Sequence, residues 1–437
     1  MELIKKVNLR ILSAIIIIIF MLVPGQGIAG EISPHLRILL YHSRLPIKIN
    51  TYRGAILVMG PDRFQKAPLS GNMDLTIIRD EQWLVVKDGK EEIARLIGDH
   101  IYFYPSRPES FLEFRGRLYR GGLEVREYNN ELLLINHIEL ERYLKGVLPM
   151  EMGRVHPEAL KAQAVAARSY ALGHRKNDKP YDLTADQSSQ VYGGASVENY
   201  HCNRAIKETT GQVLAYNGEL AGHAMYFSCC GGRTARIEDT FDFDPVPYLT
   251  GVNCSYSGDS KKAPTGGVKK GGNFSAMNLP LPPPPEDAFC SGAPLFRWEI
   301  TWNKSELESI LASYIPPGDF SGKLNDIRVI ERSSSGRVKK LLIISEGGDT
   351  VIRGDRIRKI LRFHSGGRIK RLYSTLFEIK RNGDKYIASG RGWGHGVGMC
   401  QWGAFRMAEM GEGYRNILSH YYPGCQVVNY TSLPEKD

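Results

Sequence analysis

Pro157-Glu-Ala-Leu-Lys-Ala-Gln-Ala-Val-Ala-Ala-Arg-Ser-Tyr-Ala-Leu-Gly173 decides how the rest of the chain reads. Proline suits the first helical turn, where its missing N–H has no partner to lose. The run behind it has high helix propensity, and Gly173 offers an end. A helix from Pro157 to about His174 is therefore expected, with an alanine-rich face that another element can approach closely. What precedes it has a different rhythm. Ile38-Leu-Leu-Tyr41, Ala55-Ile-Leu-Val58, Leu75-Thr-Ile-Ile78, Trp83-Leu-Val-Val86 and His100-Ile-Tyr-Phe103 suit short strands. Phe114–Tyr119, Leu123–Tyr128 and Leu132–Asn136 continue the pattern, with Asn129-Asn130 as a hairpin turn. The fold class is α+β, mixed and β-rich, with the alanine-rich helix beside the candidate site. A second, shorter helix is expected at Tyr200 to about Thr209, and strands at Gln212–Tyr216 and His223–Ser228. Residues 295–380 read as mixed strands with a helix near Lys304–Tyr314.

The chain has 437 residues, enough for two or three domains. Lys5, Lys6 and Arg10 precede an apolar run, Ile11 to Val23, broken by Pro24-Gly25 and followed by Gly27-Ile28-Ala29. This is the pattern of a secretory leader over residues 1–29, cut near Ala29 or Gly30, with an uncleaved anchor as the rival. Export to the periplasm, cell envelope or exterior is expected, with membrane contact only through such an anchor. The formal charge is +10. For an exported protein this points away from nucleic acid and toward an anionic extracellular polymer, which a positive field draws inward. Seven cysteines, at 202, 229, 230, 254, 290, 400 and 425, are an odd number, so at least one is not in an internal disulfide. Residues 255–288 are rich in Ser, Gly, Lys and Pro, and read as a solvated, partly extended loop.

Just before the helix stands Tyr143-Leu-Lys-Gly-Val-Leu-Pro-Met-Glu-Met152. Glu151, between apolar neighbours, has two readings. If desolvated, its carboxyl keeps a proton to higher pH and becomes a general acid for a glycosidic oxygen. Otherwise it complements the N-terminus of the following helix. Gly390-Arg-Gly-Trp-Gly-His-Gly-Val-Gly-Met-Cys-Gln-Trp-Gly-Ala404 is the second informative stretch. Its glycines permit a tight backbone close to a ligand. Trp393 and Trp402 offer flat faces for sugar rings, and His395 and Gln401 offer hydrogen bonds. The same residues also suit a turn packed on a core.

Together these segments resemble the family of stage II sporulation protein D and its amidase-enhancer relatives. The resemblance covers about Arg115 to Tyr422. It rests on Asn136–Met152, Glu158–Leu172, Ser189-Gln-Val-Tyr-Gly-Gly194, Thr210-Gly-Gln-Val-Leu214, Cys230-Gly-Gly-Arg-Thr234, Pro247-Tyr-Leu249 and Gly394–Ala404, in that order. Residues 30–114, which carry little of the match, read from their strand pattern as a β-rich N-terminal domain; the resemblance implies a catalytic region over 115–425 interrupted by the 255–288 insertion, and 426–437 is a tail. The resemblance implies a lytic transglycosylase that cleaves MurNAc–GlcNAc β-1,4 bonds of peptidoglycan, leaving 1,6-anhydro-MurNAc ends. Glu151 matches the family's catalytic glutamate. Arg168, Gln190, Tyr192, Trp393, His395, Gln401 and Trp402 are candidate substrate-binding residues. Each also has a structural reading: Arg168 as an exposed helix arginine, Tyr192 as a core residue, His395 as a turn histidine. The partners implied are peptidoglycan glycan strands and a cell-wall amidase; the second functional reading is a non-catalytic amidase enhancer. No cofactor is required, but family members bind zinc through histidine and cysteine. Here Phe227 stands at the usual histidine, in Phe227-Ser-Cys-Cys-Gly-Gly232. Cys230, Cys254 and Cys290, helped by Cys229 or His223, remain candidates for a metal or a disulfide. Cys400 and Cys425 read as buried thiols.

Overall fold

The computed structural model describes residues 33–434 apart from 60–64, 154, 177, 257–277, 286 and 317. The expected leader lies outside the described residues. Alternating apolar runs build two sheets. A seven-stranded sheet orders Leu183–Thr184, His35–Ser43, Glu131–Glu139, Gly122–Tyr128, His100–Pro105, Ala55–Met59 and Gln65–Leu69. A six-stranded sheet orders Arg117–Tyr119, Phe111–Phe114, Ile47–Tyr52, Met73–Asp80, Trp83–Asp88 and Glu91–Ile97. Leu36, Ile38, Val125 and Leu134 of the first share one core with Ile49, Leu75, Ile77 and Val86 of the second. The two sheets are thus opposite walls of one apolar interior. Strands from both sides of position 114 pair in both sheets.

Asn129 and Asn130 turn the hairpin as expected, with φ of 53° and 62°. Asparagine tolerates this left-handed backbone, and two such residues give the turn whose twist matches paired strands. Phe114–Tyr119 is two short strands, not one, because Arg115 and Gly116 take φ of 52° and 75° and reverse the chain.

The helices are α1 (Leu140–Glu151), α2 (Pro157–Gly173), α3 (Tyr200–Glu208), α4 (Lys304–Tyr314), α5 (Arg356–Ile360), α6 (Gln401–Glu409) and α7 (Tyr414–Tyr421). Helix α2 has the predicted start and end. His156 caps it, its Nδ1 accepting from the Glu158 N–H at 3.3 Å. The alanines allow α2 to be buried on two sides. Leu160, Ala164, Ala167 and Ala171 belong to the core of the two sheets. Ala159, Ala162, Val165 and Ala166 belong to a second core, with Ala404, Met407, Leu418 and Tyr421 from α6 and α7. At its end, Gly173 lies against Gly222 so closely that a Cβ on Gly173 would overlap the other backbone.

A third core holds Trp302, Leu307, Ile310, Ile343, Phe377 and Tyr386, between α4 and the strands of residues 298–390. The strand expected at His223–Ser228 shrinks to Tyr226–Phe227, which pairs in parallel with Met399–Cys400. The insertion has a narrow neck. Ser255 bridges Ala288, and the Phe289 N–H donates to the Cys254 carbonyl at 2.8 Å. Its described proline-rich part is docked rather than solvated. Asn278 Oδ1 accepts from the Val329 N–H at 3.0 Å, and Arg332 donates to the Leu279 carbonyl at 2.7 Å. Among the described residues, no helix is long and apolar enough to cross a membrane.

Candidate active site

Glu151 is the last residue of α1, not a partner of the next helix's N-terminus. That N-terminus belongs to His156 and Glu158. The placement matters electrostatically, because a helix C-terminus carries the negative end of the dipole and disfavours a carboxylate. Glu151 is half-buried, and burial raises its pKa above the ordinary carboxylic value. Two hydrogen bonds hold the group and temper that rise. Its Oε1 accepts from the Val191 N–H at 3.0 Å, and the Gln401 side chain also bonds it. Among the described residues, no charged neighbour contributes to the shift. The result is one desolvated carboxyl between the end of α1, the 190–192 turn and the first residue of α6.

The supporting residues explain that position. Leu140, Tyr143, Leu144, Val147 and Leu148 bury one face of α1. Gly146 is needed because the Tyr192 ring approaches where a Cβ would stand. Behind Val191, Gln190 is buried and fully engaged. Its Nε2 donates to the Ala167 carbonyl at 3.2 Å and to Tyr226 Oη at 2.9 Å, and its Oε1 accepts from Tyr143 Oη at 3.1 Å. Burial pushes the Tyr143 and Tyr226 phenols up, so both stay neutral beside Glu151.

The other candidates divide. Gln401 meets Glu151 and also donates to Gln163 Oε1 at 3.5 Å. Trp393 is 47% exposed, its ring edge-on to Tyr373, and is free to offer a face. Trp402 is half-buried, edge-on to Phe405. His395 has both ring nitrogens occupied: Nε2 donates to the Tyr226 carbonyl at 3.0 Å, and Nδ1 accepts from the Val397 N–H at 3.1 Å. Burial pulls its pKa down to about 4, so it is a neutral brace of the glycine loop. Tyr192 is a core residue, with its hydroxyl on Asn136 Oδ1 at 2.9 Å. Gln190 is equally inaccessible to a sugar.

Arg168 requires a correction. It is neither exposed nor open to a substrate carboxylate. Its guanidinium grips Glu141 with two bonds of 2.8 Å and donates to the Gln212 carbonyl at 2.8 Å. Burial selects this pairing, since an unpaired guanidinium in the interior is costly. Arg168 therefore fastens α2 to α1 and to the strand Gln212–Tyr216.

The cysteines meet as the sequence reading only partly anticipated. Cys230, Cys254 and Cys290 converge, and Cys400 joins them. No disulfide joins any of the seven cysteines, and all are buried. His223 and Cys229 stand outside the group; Cys229 Sγ faces the Cys290 carbonyl at 3.9 Å. Phe227, at the family's histidine position, packs its ring 5.2 Å from that of His395. Sequence reasoning also missed the Val191 N–H, which leaves no side-chain signature, and the phenols of Tyr143 and Tyr226. The signal for Cys400 was its place inside the glycine motif, immediately before Gln401.

Glu151 is thus a desolvated carboxyl held by the Val191 N–H and by Gln401 of the glycine-rich motif. A family profile described as stage II sporulation protein matches residues 128–216, and one described as a domain of unknown function matches residues 235–398. An uncharacterized protein of Brachyspira hyodysenteriae is 33% identical over 320 residues, covering 72% of this chain and 73% of its own length. The amidase enhancer of Bacillus subtilis is 34% identical over 302 residues, covering 66% of this chain and 40% of the enhancer. The stage II sporulation protein D of Bacillus subtilis is 28% identical over 311 residues, covering 67% of this chain and 75% of that protein. The chain belongs to the stage II sporulation protein D family.

Proposed function

We propose that this protein acts on the cell wall outside the cytoplasm, as a lytic transglycosylase on peptidoglycan glycan strands. One observation carries the reading: a single carboxyl, Glu151, kept protonated to higher pH by burial and aimed by Val191 and Gln401. The chemistry needs one such group. Glu151 gives its proton to the O4 leaving oxygen as the C1–O4 bond breaks. The C6 hydroxyl of the same MurNAc then bonds to C1, and its proton passes to the Glu151 carboxylate. The nucleophile is tethered to the reacting sugar, so neither a second carboxylate nor a positioned water is required. Exposed Trp393 offers a stacking face near the glycine loop.

The test uses purified protein and peptide-free glycan strands, with mass spectrometry of the ends. Anhydro-MurNAc ends are expected with the wild type and a loss of at least about 100-fold with Glu151→Gln, the scale of a general acid. Equal cleavage by both would remove Glu151 from the role. The relative named amidase enhancer favours a second reading, in which the chain binds the wall and stimulates an amidase. Stimulation of a cell-wall amidase, without glycan cleavage by a folded wild type, would select it.

A further inference from the structure

Cys230, Cys254, Cys290 and Cys400 come from four separate segments and bring their Sγ atoms within 4.8 Å of one another. All four are buried to the level of the core. A tetrahedral site with metal–sulfur bonds of about 2.3 Å has sulfur–sulfur edges of about 3.8 Å, so the spacing suits a single ion. Backbone donors already point at the sulfurs. The Gly232 N–H donates to Cys230 Sγ at 3.3 Å, the Cys230 N–H to Cys400 Sγ at 3.2 Å, and the Gly403 N–H to Cys400 Sγ at 3.4 Å. Such bonds are what anionic sulfur ligands accept from their surroundings.

The second observation is independent. Arg337 and Arg391 are buried, at 1% and 4% exposure, beside the cysteine-bearing turn. Arg337 donates through one Nη to the Cys230 carbonyl at 2.9 Å, while its Nε and other Nη have no partner among the described residues. Arg391 donates to the Pro282 carbonyl at 2.5 Å, and its Nε and other Nη are likewise without a partner among the described residues. Buried guanidinium groups without an anion are costly, so two of them ask for negative charge nearby. Four thiolates around one divalent cation supply two net negative charges.

We propose that Cys230, Cys254, Cys290 and Cys400 form a closed tetrathiolate site for one zinc ion, with Arg337 and Arg391 balancing its charge. With four protein ligands the site is structural and leaves no position for substrate. It clamps both sides of the insertion's neck, through Cys254 and Cys290, to the 230 turn and to the start of α6. Because Gln401 follows Cys400 directly, the ion also fixes the residue that bonds Glu151. The assignment stands whether or not the chain cleaves glycan.

The experiment measures the full chain, not its activity. Elemental analysis is expected to give about one zinc per chain, and cobalt exchange to give the charge-transfer and d–d bands of a tetrahedral tetrathiolate. Cys254→Ser and Cys400→Ser lose the ion, Cys425→Ser keeps it, and Arg391→Met binds it at least tenfold more weakly in competition with a chelator. Where a serine variant does not fold, the wild-type metal content and cobalt spectrum decide alone. A disulfide mapped between Cys230 and Cys290, whose sulfurs lie 3.4 Å apart, would overturn the proposal. So would stoichiometric iron in place of zinc, or folded protein that takes up no zinc.

Discussion

Glu151 and Arg168 show how burial gives charged side chains opposite fates. Arg168 has a carboxylate in bidentate contact and two backbone carbonyls, so its charge is retained deep in the fold. Arg168→Met is expected to cost about 3–5 kcal/mol by leaving Glu141 without its partner, measured by urea unfolding. Among the described residues no cation pairs with Glu151, and burial favours its neutral form. The sign follows from the raised pKa. Below the unfolded value of 4.5 that preference contributes in full, and it is lost as pH rises through the folded pKa. Glu151→Gln keeps an oxygen to accept from Val191 and removes the titration. The variant should therefore gain stability relative to wild type as pH is raised from below the unfolded value of 4.5 through the higher folded one, in paired urea titrations. A constant difference across that range would contradict the burial argument. On the proposed transglycosylase reading, which needs the Glu151 proton, glycan cleavage is expected to fall along the same limb.

At the scale of elements, what could be read from sequence was what local chemistry decides. Pro157 started α2 and Asn129-Asn130 turned a hairpin, because each fixes its own backbone. Helix α1 was not legible. Gly146 and Pro149 weaken its propensity, and its helicity comes from five apolar side chains packed into the sheet core. The fully buried state of Arg168 was hidden for the same reason, since its partners lie on other elements. Glu151 itself was legible through its motif, but its contact with Gln401 depends on segments far apart in the chain. The closeness of α2 to residue 222 gives a test. Gly173→Ala gains about 1 kcal/mol of helix propensity, yet its Cβ meets the Gly222 backbone, an overpacking cost of about 1–3 kcal/mol. A net loss of stability is expected in thermal unfolding. An increase would mean that the glycine contact yields easily.

Across the whole molecule, the three cores are not independent. Helix α2 contributes side chains to two of them, and Arg337, next to Val338 of the third, donates to the carbonyl of Cys230 in the second. The candidate site sits where the first two meet, so the carboxyl's surroundings depend on both. The neck at Ser255 and Ala288 behaves differently from these shared walls. A chain that leaves and returns through one paired bridge has its closure entropy set mainly by the logarithm of what lies between, about 0.6 kcal/mol for each doubling. The Ser255–Ala288 bridge and the Phe289 N–H to Cys254 carbonyl bond bring the chain back to the point it left, so Cys254 and Phe289 hold their places in the second core as a pair.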